Sequence, residues 1–93
     1  MSFGMKPVLS YQVSISGSSA AASNPVTAGV THVRLHTDTA CSVDISHAAT
    51  ASLTTSMRLA ANFPEYFLCN GNGGDKVAVI GTSGTLTVTE MSN

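Results

Sequence analysis

Apolar and polar residues alternate along most of this 93-residue chain, and a period of two marks β-strands with one buried face. In VLSYQVSISG, Tyr11, Val13 and Ile15 fall on one face and Ser10, Gln12, Ser14 and Ser16 on the other. THVRLHTD repeats the pattern, with Val33 and Leu35 inward and His32, Arg34 and His36 outward. CSVDIS sets Cys41, Val43 and Ile45 against Ser42, Asp44 and Ser46. SMRLAA, EYFLCN, DKVAVIG and GTLTVTEM follow, the last alternating Leu86 and Val88 with Thr85, Thr87 and Thr89. About seven short strands separated by turn signals predict a single all-β domain over residues 1–93, an antiparallel β-sandwich or a jelly-roll-like barrel.

Two segments break the rhythm. GSSAAASNPVTAG, residues 17–29, is rich in small residues and reads as a loop, with Pro25-Val26 as the possible start of a short strand. Residues 1–29 are therefore predicted to form an N-terminal strand that pairs with the sheet, or an arm that reaches a neighbour, followed by this loop. HAATASLTTS, residues 47–56, has no apolar stripe of helical period and reads as a long loop anchored by Leu53. The glycine cluster NGNGGDK reads as the turn of a hairpin joining EYFLC to KVAVI, with Asn70-Gly71 or Asn72-Gly73 at its tip. It does not match a phosphate loop, because Lys76 is followed by Val77 and a strand rather than a helix comes next.

Composition narrows the functional classes. Hydrophobic residues make up 43% of the chain, but alanine supplies much of that. Val, Ile, Leu and Phe together reach only about a quarter, near the lower limit for globular folding, so the core is predicted to be thin. Association with copies of itself or with a larger body would supplement such a core. Charged residues are 10% of the chain and the net charge is −1, leaving too few cations for a nucleic-acid-binding patch. Ser and Thr supply roughly a quarter of the residues, giving a hydroxyl-rich surface that is easily desolvated against a partner. The opening MSFGMKPVLSYQVSISG lacks the form of a secretory signal, and no apolar run is long enough to span a membrane. A soluble, cytoplasmically made protein is expected.

Candidate chemistry is sparse. Cys41 and Cys69 are too far apart for a C-x-x-C motif and read as buried free thiols, with a disulfide between them left open. His32 and His36 share a strand face but stand roughly 13 Å apart, too far to ligate one ion together. No G-x-S-x-G elbow is present, so no catalytic, cofactor or metal residues are assigned. If the outer face of that strand meets another subunit, His32, Arg34 and His36 become contact residues. ANFPEYFLC concentrates the aromatics: Phe63, Tyr66 and Phe67 are candidate partner contacts. Tyr66 and Phe67 must point to opposite faces, so one serves the core and the other covers an edge or meets a partner. A carbohydrate- or ligand-binding β-sandwich is the alternative from a different class; it is weakened by the absence of Trp and would lean on Tyr66.

The order HVRLHTDTACSVDIS, a Thr/Ala-rich loop, MRLAANFPEYFLC, a glycine turn, KVAVIG and GTLTVTEM resembles small β-rich virion structural proteins of tailed bacteriophages. The likeness covers about Thr31 to Met91, and its most specific pieces are PEYF, KVAVI and LTVTEM. Where the family often has a Pro-Gly turn before KVAVI, this chain has NGNGGD. The resemblance implies a head decoration (cement) protein, a β-sandwich or jelly-roll subunit on the capsid exterior, assembled in the host cytoplasm. Its implied partner is the major capsid protein or another virion protein, and its implied state a trimer or dimer. Tail, collar or fibre placement is the structural alternative.

Overall fold

The computed structural model describes residues 6–23, 25–47, 49–54, 56–69 and 74–92. Among these residues there is no helix, and the strands are β1 (Lys6–Ile15), β2 (Ala20–Ala21), β3 (His32–Thr37), β4 (Cys41–Ser46), β5 (Met57–Leu59), β6 (Glu65–Leu68), β7 (Lys76–Gly81) and β8 (Gly84–Ser92). They form two four-stranded antiparallel sheets, a front sheet in the order β1-β8-β3-β6 and a back sheet in the order β2-β7-β4-β5. Strands β1 and β8, β2 and β7, β3 and β6, and β4 and β5 are neighbours, so the chain behaves as one long hairpin rolled into two layers. This is the strand order of an eight-stranded jelly roll. It is a sandwich and not a closed barrel, since β1, β6, β2 and β5 are sheet edges.

The period of two places the core. Val13, Ile15, Val33, Leu35, Leu86 and Val88 face inward from the front sheet, and Cys41, Val43, Leu59, Val77 and Val79 from the back sheet. Val33, Leu35, Leu86 and Val88 are fully shielded from solvent, each contributing on the order of 1.5–3 kcal/mol by leaving water. β8 lies between β1 and β3, pairing Val88 with both Tyr11 and Leu35, and Leu86 with both Val13 and Thr37. Most of the core is valine and alanine, so the two layers meet through short side chains.

Several connections cross between sheets at one end and are tied to each other there. Thr85 N–H donates to Asp38 Oδ1 (2.8 Å), Thr39 Oγ1 donates to the Ser83 carbonyl (2.5 Å), Gly81 N–H to the Ser16 carbonyl (2.9 Å) and Asn62 N–H to the Thr37 carbonyl (2.8 Å). Gly84 lies at φ +127°, and a Cβ there would collide with Asp38 and Thr39, so both conformation and space require glycine. Gly81 has no room either: a Cβ would sit 2.7 Å from Ile15 Cγ2.

The structure revises four expectations. β6 belongs to the front sheet and β7 to the back sheet, so EYFLC and KVAVI do not form a hairpin. Their link passes from one layer to the other; the proposed tip, residues 70–73, lies outside the described residues. A second strand sits in the small-residue segment, but at Ala20–Ala21 rather than at Pro25-Val26, bringing the total to eight. Val26 is instead buried in a loop held by its N–H to the Asp75 carbonyl (2.7 Å). In the 47–56 loop, Leu53 is 52% exposed and Ala51 is buried, so Leu53 anchors nothing. Thr50 N–H donates to Asp44 Oδ2 (3.0 Å) and Ala51 N–H to Ser19 Oγ (2.9 Å). Asp44 and Ala21 both pair with Ala78, so these two bonds carry the loop across the outer face of the back sheet above a fully buried alanine. Of the two roles open to the N-terminal segment, Lys6–Ile15 takes the first and pairs along β8.

Two sets of substitutions test this packing by chemical denaturation. Leu86→Ala is expected to cost about 2–5 kcal/mol, whereas Leu53→Ala should stay within about 0.5 kcal/mol of wild type. Gly84→Ala should cost about 1–3 kcal/mol through its backbone conformation; a neutral Gly84→Ala would contradict the observed crossing.

Candidate functional site

Because β3 alternates, His32, Arg34 and His36 all stand half-buried on the outer face of the front sheet. Their cross-strand neighbours are set by register: His32 faces Leu68 and Met91, Arg34 faces Tyr66 and Thr89, and His36 faces Thr87. Opposed residues in such ladders have Cβ atoms about 4.5–5.5 Å apart, so the Arg34 guanidinium and the Tyr66 ring are within stacking reach. Toward β1 the same face carries Gln12 beside Thr87 and Ser10 beside Thr89, the latter pair sharing a hydroxyl hydrogen bond (2.8 Å). On β8 this face is buried at Thr89 and Met91, both 7% exposed, whereas Ser10 and Gln12 of β1 and Tyr66 and Leu68 of β6 are exposed.

The aromatics divide as their spacing requires. Tyr66 is 52% exposed on the outer face, while Phe67 turns inward opposite Val33 and packs against the core. Phe63 is 66% exposed in the turn before β6, just after Asn62, which takes a positive φ of 63°. Leu68 adds a further exposed side chain on the same edge strand. Four of the six candidate contacts, His32, Arg34, His36 and Tyr66, thus share one surface; Phe63 stands at its margin and Phe67 on the opposite side of the strand.

A second feature was not singled out from the sequence. Extending the β8 alternation from Leu86 and Val88 places Glu90 inward, and it is 1% exposed. Its Oε2 accepts from Tyr11 O–H (3.4 Å) and Thr27 N–H (3.3 Å), while Oε1 is buried without a hydrogen-bond partner. Beside it opens a cleft of about 510 Å³ lined by Leu9, Tyr11, Gln12, Ser23, Pro25, Thr27 and Glu90. Burial, then the neighbouring Glu90 charge and its hydrogen bond, pushes the Tyr11 phenol up to about 12. Cys69 is pushed up to about 11 by burial, then by the charges of Asp75 and Glu90. Cys41 is raised mainly by burial; both thiols are free. The parity of Glu90 along β8 was the signal available in the sequence.

Among the described residues, no three His, Cys, Asp or Glu side chains gather into a metal-ligand set. Comparison with known protein families, curated proteins and solved structures finds no match to this chain.

The raised groups give a pH test with a definite sign. Tyr11 and Cys69 hold their protons more tightly when folded than at their ordinary values of 10.0 and 9.0, so the unfolded chain releases them first. Their contribution to stability is intact below about pH 9 and is lost as pH climbs toward the folded values of about 11 and about 12. Thermal unfolding followed by circular dichroism should show a Tm that falls above pH 9. Glu90→Gln should bring the Tyr11 titration, read by NMR, below its wild-type midpoint. An unchanged midpoint would remove Glu90 as a cause.

Proposed function

We propose that this chain is a non-enzymatic structural subunit of a virus particle, a decoration subunit bound to the head of a tailed bacteriophage through the outer face of its front sheet. The observation that carries the reading is the exposure of large apolar side chains, Tyr66 and Leu68, on the outer face of the front sheet. The back sheet is covered by the chain's own 47–56 loop. The front sheet presents Tyr66 and Leu68 largely exposed beside Arg34 and two half-buried histidines, with the Ser10 and Thr87 hydroxyls toward β1.

Such a surface suits contact with a protein neighbour. Tyr and Arg are the side chains that most often dominate interface energetics, and the hydroxyls of Ser10 and Thr87 lose little on desolvation. Few charges need stripping of water, since only 10% of the chain is charged. A thin core gains support when an outer face is held against a larger body. Repetition then multiplies the effect, because every bound copy favours the assembled shell by its own binding free energy. The jelly-roll strand order agrees with the resemblance of HVRLHTDTACSVDIS and PEYF–KVAVI–LTVTEM to virion proteins, although a fold alone does not assign a role.

Quantitative mass spectrometry of purified particles tests the placement. A decoration subunit should be present in a number comparable to the major capsid protein; a handful of copies would place it in the tail or collar, and absence would overturn the reading. The double variant Arg34→Ala/Tyr66→Ala should lose particle binding by on the order of tenfold or more, with stability of the free chain within about 1 kcal/mol of wild type.

A further inference from the structure

We propose that the cleft between β1 and the 25–27 segment is a binding site for a lysine side chain presented by a protein partner, with Glu90 as its carboxylate. This site lies apart from the outer face of the front sheet and does not depend on the function proposed above.

The argument begins with what Glu90 lacks. A carboxylate buried to 1% exposure is costly unless both oxygens are satisfied. Tyr11 and Thr27 both donate to Oε2, leaving Oε1 with no donor. Among the described residues, no lysine, arginine or histidine lines the cleft. The two bonds holding Oε2 are long, at 3.4 and 3.3 Å, so the carboxyl group is lightly held. Oε1 is buried where it stands, while Glu90 itself forms part of the cleft lining. The Tyr11 phenol beside it is raised first by burial and then by the Glu90 charge and hydrogen bond.

The lining selects among cations. A single oxygen is free, whereas a guanidinium is best matched by both oxygens of a carboxylate. An ammonium is compact, and its hydrogens can be shared between Oε1 and the Ser23 hydroxyl. Leu9 and Pro25 offer apolar walls for an aliphatic stem. The mouth points to a protein as the source. The register of β1 against β8 shifts between Pro7 and Leu9, and this bulge leaves Val8 55% and Leu9 51% exposed beside the opening. Such an apolar rim is matched by a partner surface around a projecting side chain, and offers nothing to a free diamine.

The test is an NMR titration of the isotope-labelled full chain with Nα-acetyl-lysine N-methylamide, alongside its norleucine and arginine counterparts and 1,5-diaminopentane. The lysine probe should give saturable shifts centred on Leu9, Tyr11, Thr27 and Glu90, with the norleucine probe on the order of tenfold weaker or more. Glu90→Gln should weaken the lysine probe to the same degree. Leu9→Lys, at an exposed position that spares the fold, should fill the cleft with its own ammonium and abolish binding. Equal binding of lysine and norleucine, no localised saturation, or undiminished binding by Leu9→Lys would overturn the site. Tighter binding of the arginine probe would overturn the choice of ammonium, and tighter binding of the diamine the choice of a protein source.

Discussion

The position of β8 between β1 and β3 is the constraint on which the rest of this structure depends. It joins the first and last strands of the chain and supplies Leu86 and Val88 to the middle of the core. With the core made mostly of short side chains, stability relies on the strands holding register rather than on a few large residues. A slip of one residue in β8 would send Leu86 and Val88 outward and the threonines inward. The crossing at Gly84 guards against that slip, because Asp38 pins Thr85 and leaves no space for a side chain at Gly84.

The same parity produces both candidate surfaces. Outward-facing Thr87 and Thr89 pair with the β3 residues His36 and Arg34 and form the middle of the front sheet's outer face. Inward-facing Glu90 follows from the same alternation, two residues past Val88, where the opposing layer gives way to the 25–27 segment. The back sheet is finished differently. Ala78 is small enough for the 47–56 loop to pass over it, and the loop backbone bonds to Asp44 and Ser19 on either side.

Fold class was legible because strand period is a local property: Val33/Leu35, Cys41/Val43, Val77/Val79 and Leu86/Val88 each declare a buried face without reference to any partner. Pairing was not legible, because nothing local distinguishes a hairpin turn from a link between layers. The asparagine and glycine residues before KVAVI fit either, and the layers decided it. β2 was invisible since Ala20–Ala21 has no alternation to read. Leu53 misled because hydrophobicity was taken as burial, whereas the loop is held by backbone bonds and the smaller Ala51 is enclosed. For the surface residues, the parity of β3 and β6 correctly separated Tyr66 from Phe67 and grouped His32, Arg34 and His36. Glu90 shares the inward parity of Leu86 and Val88, which a charged side chain does not advertise.

Amide hydrogen exchange followed by NMR on the intact chain tests the central place of β8 most directly. The amides of Leu86 to Val88, flanked on both sides, should exchange among the slowest, together with those of Val77 to Val79 in β7, while the edge strands β5 and β6 exchange faster. Slow exchange shared by β6 and β7, with β8 fast, would mean that these two strands pair as a hairpin and that the two-layer arrangement is wrong.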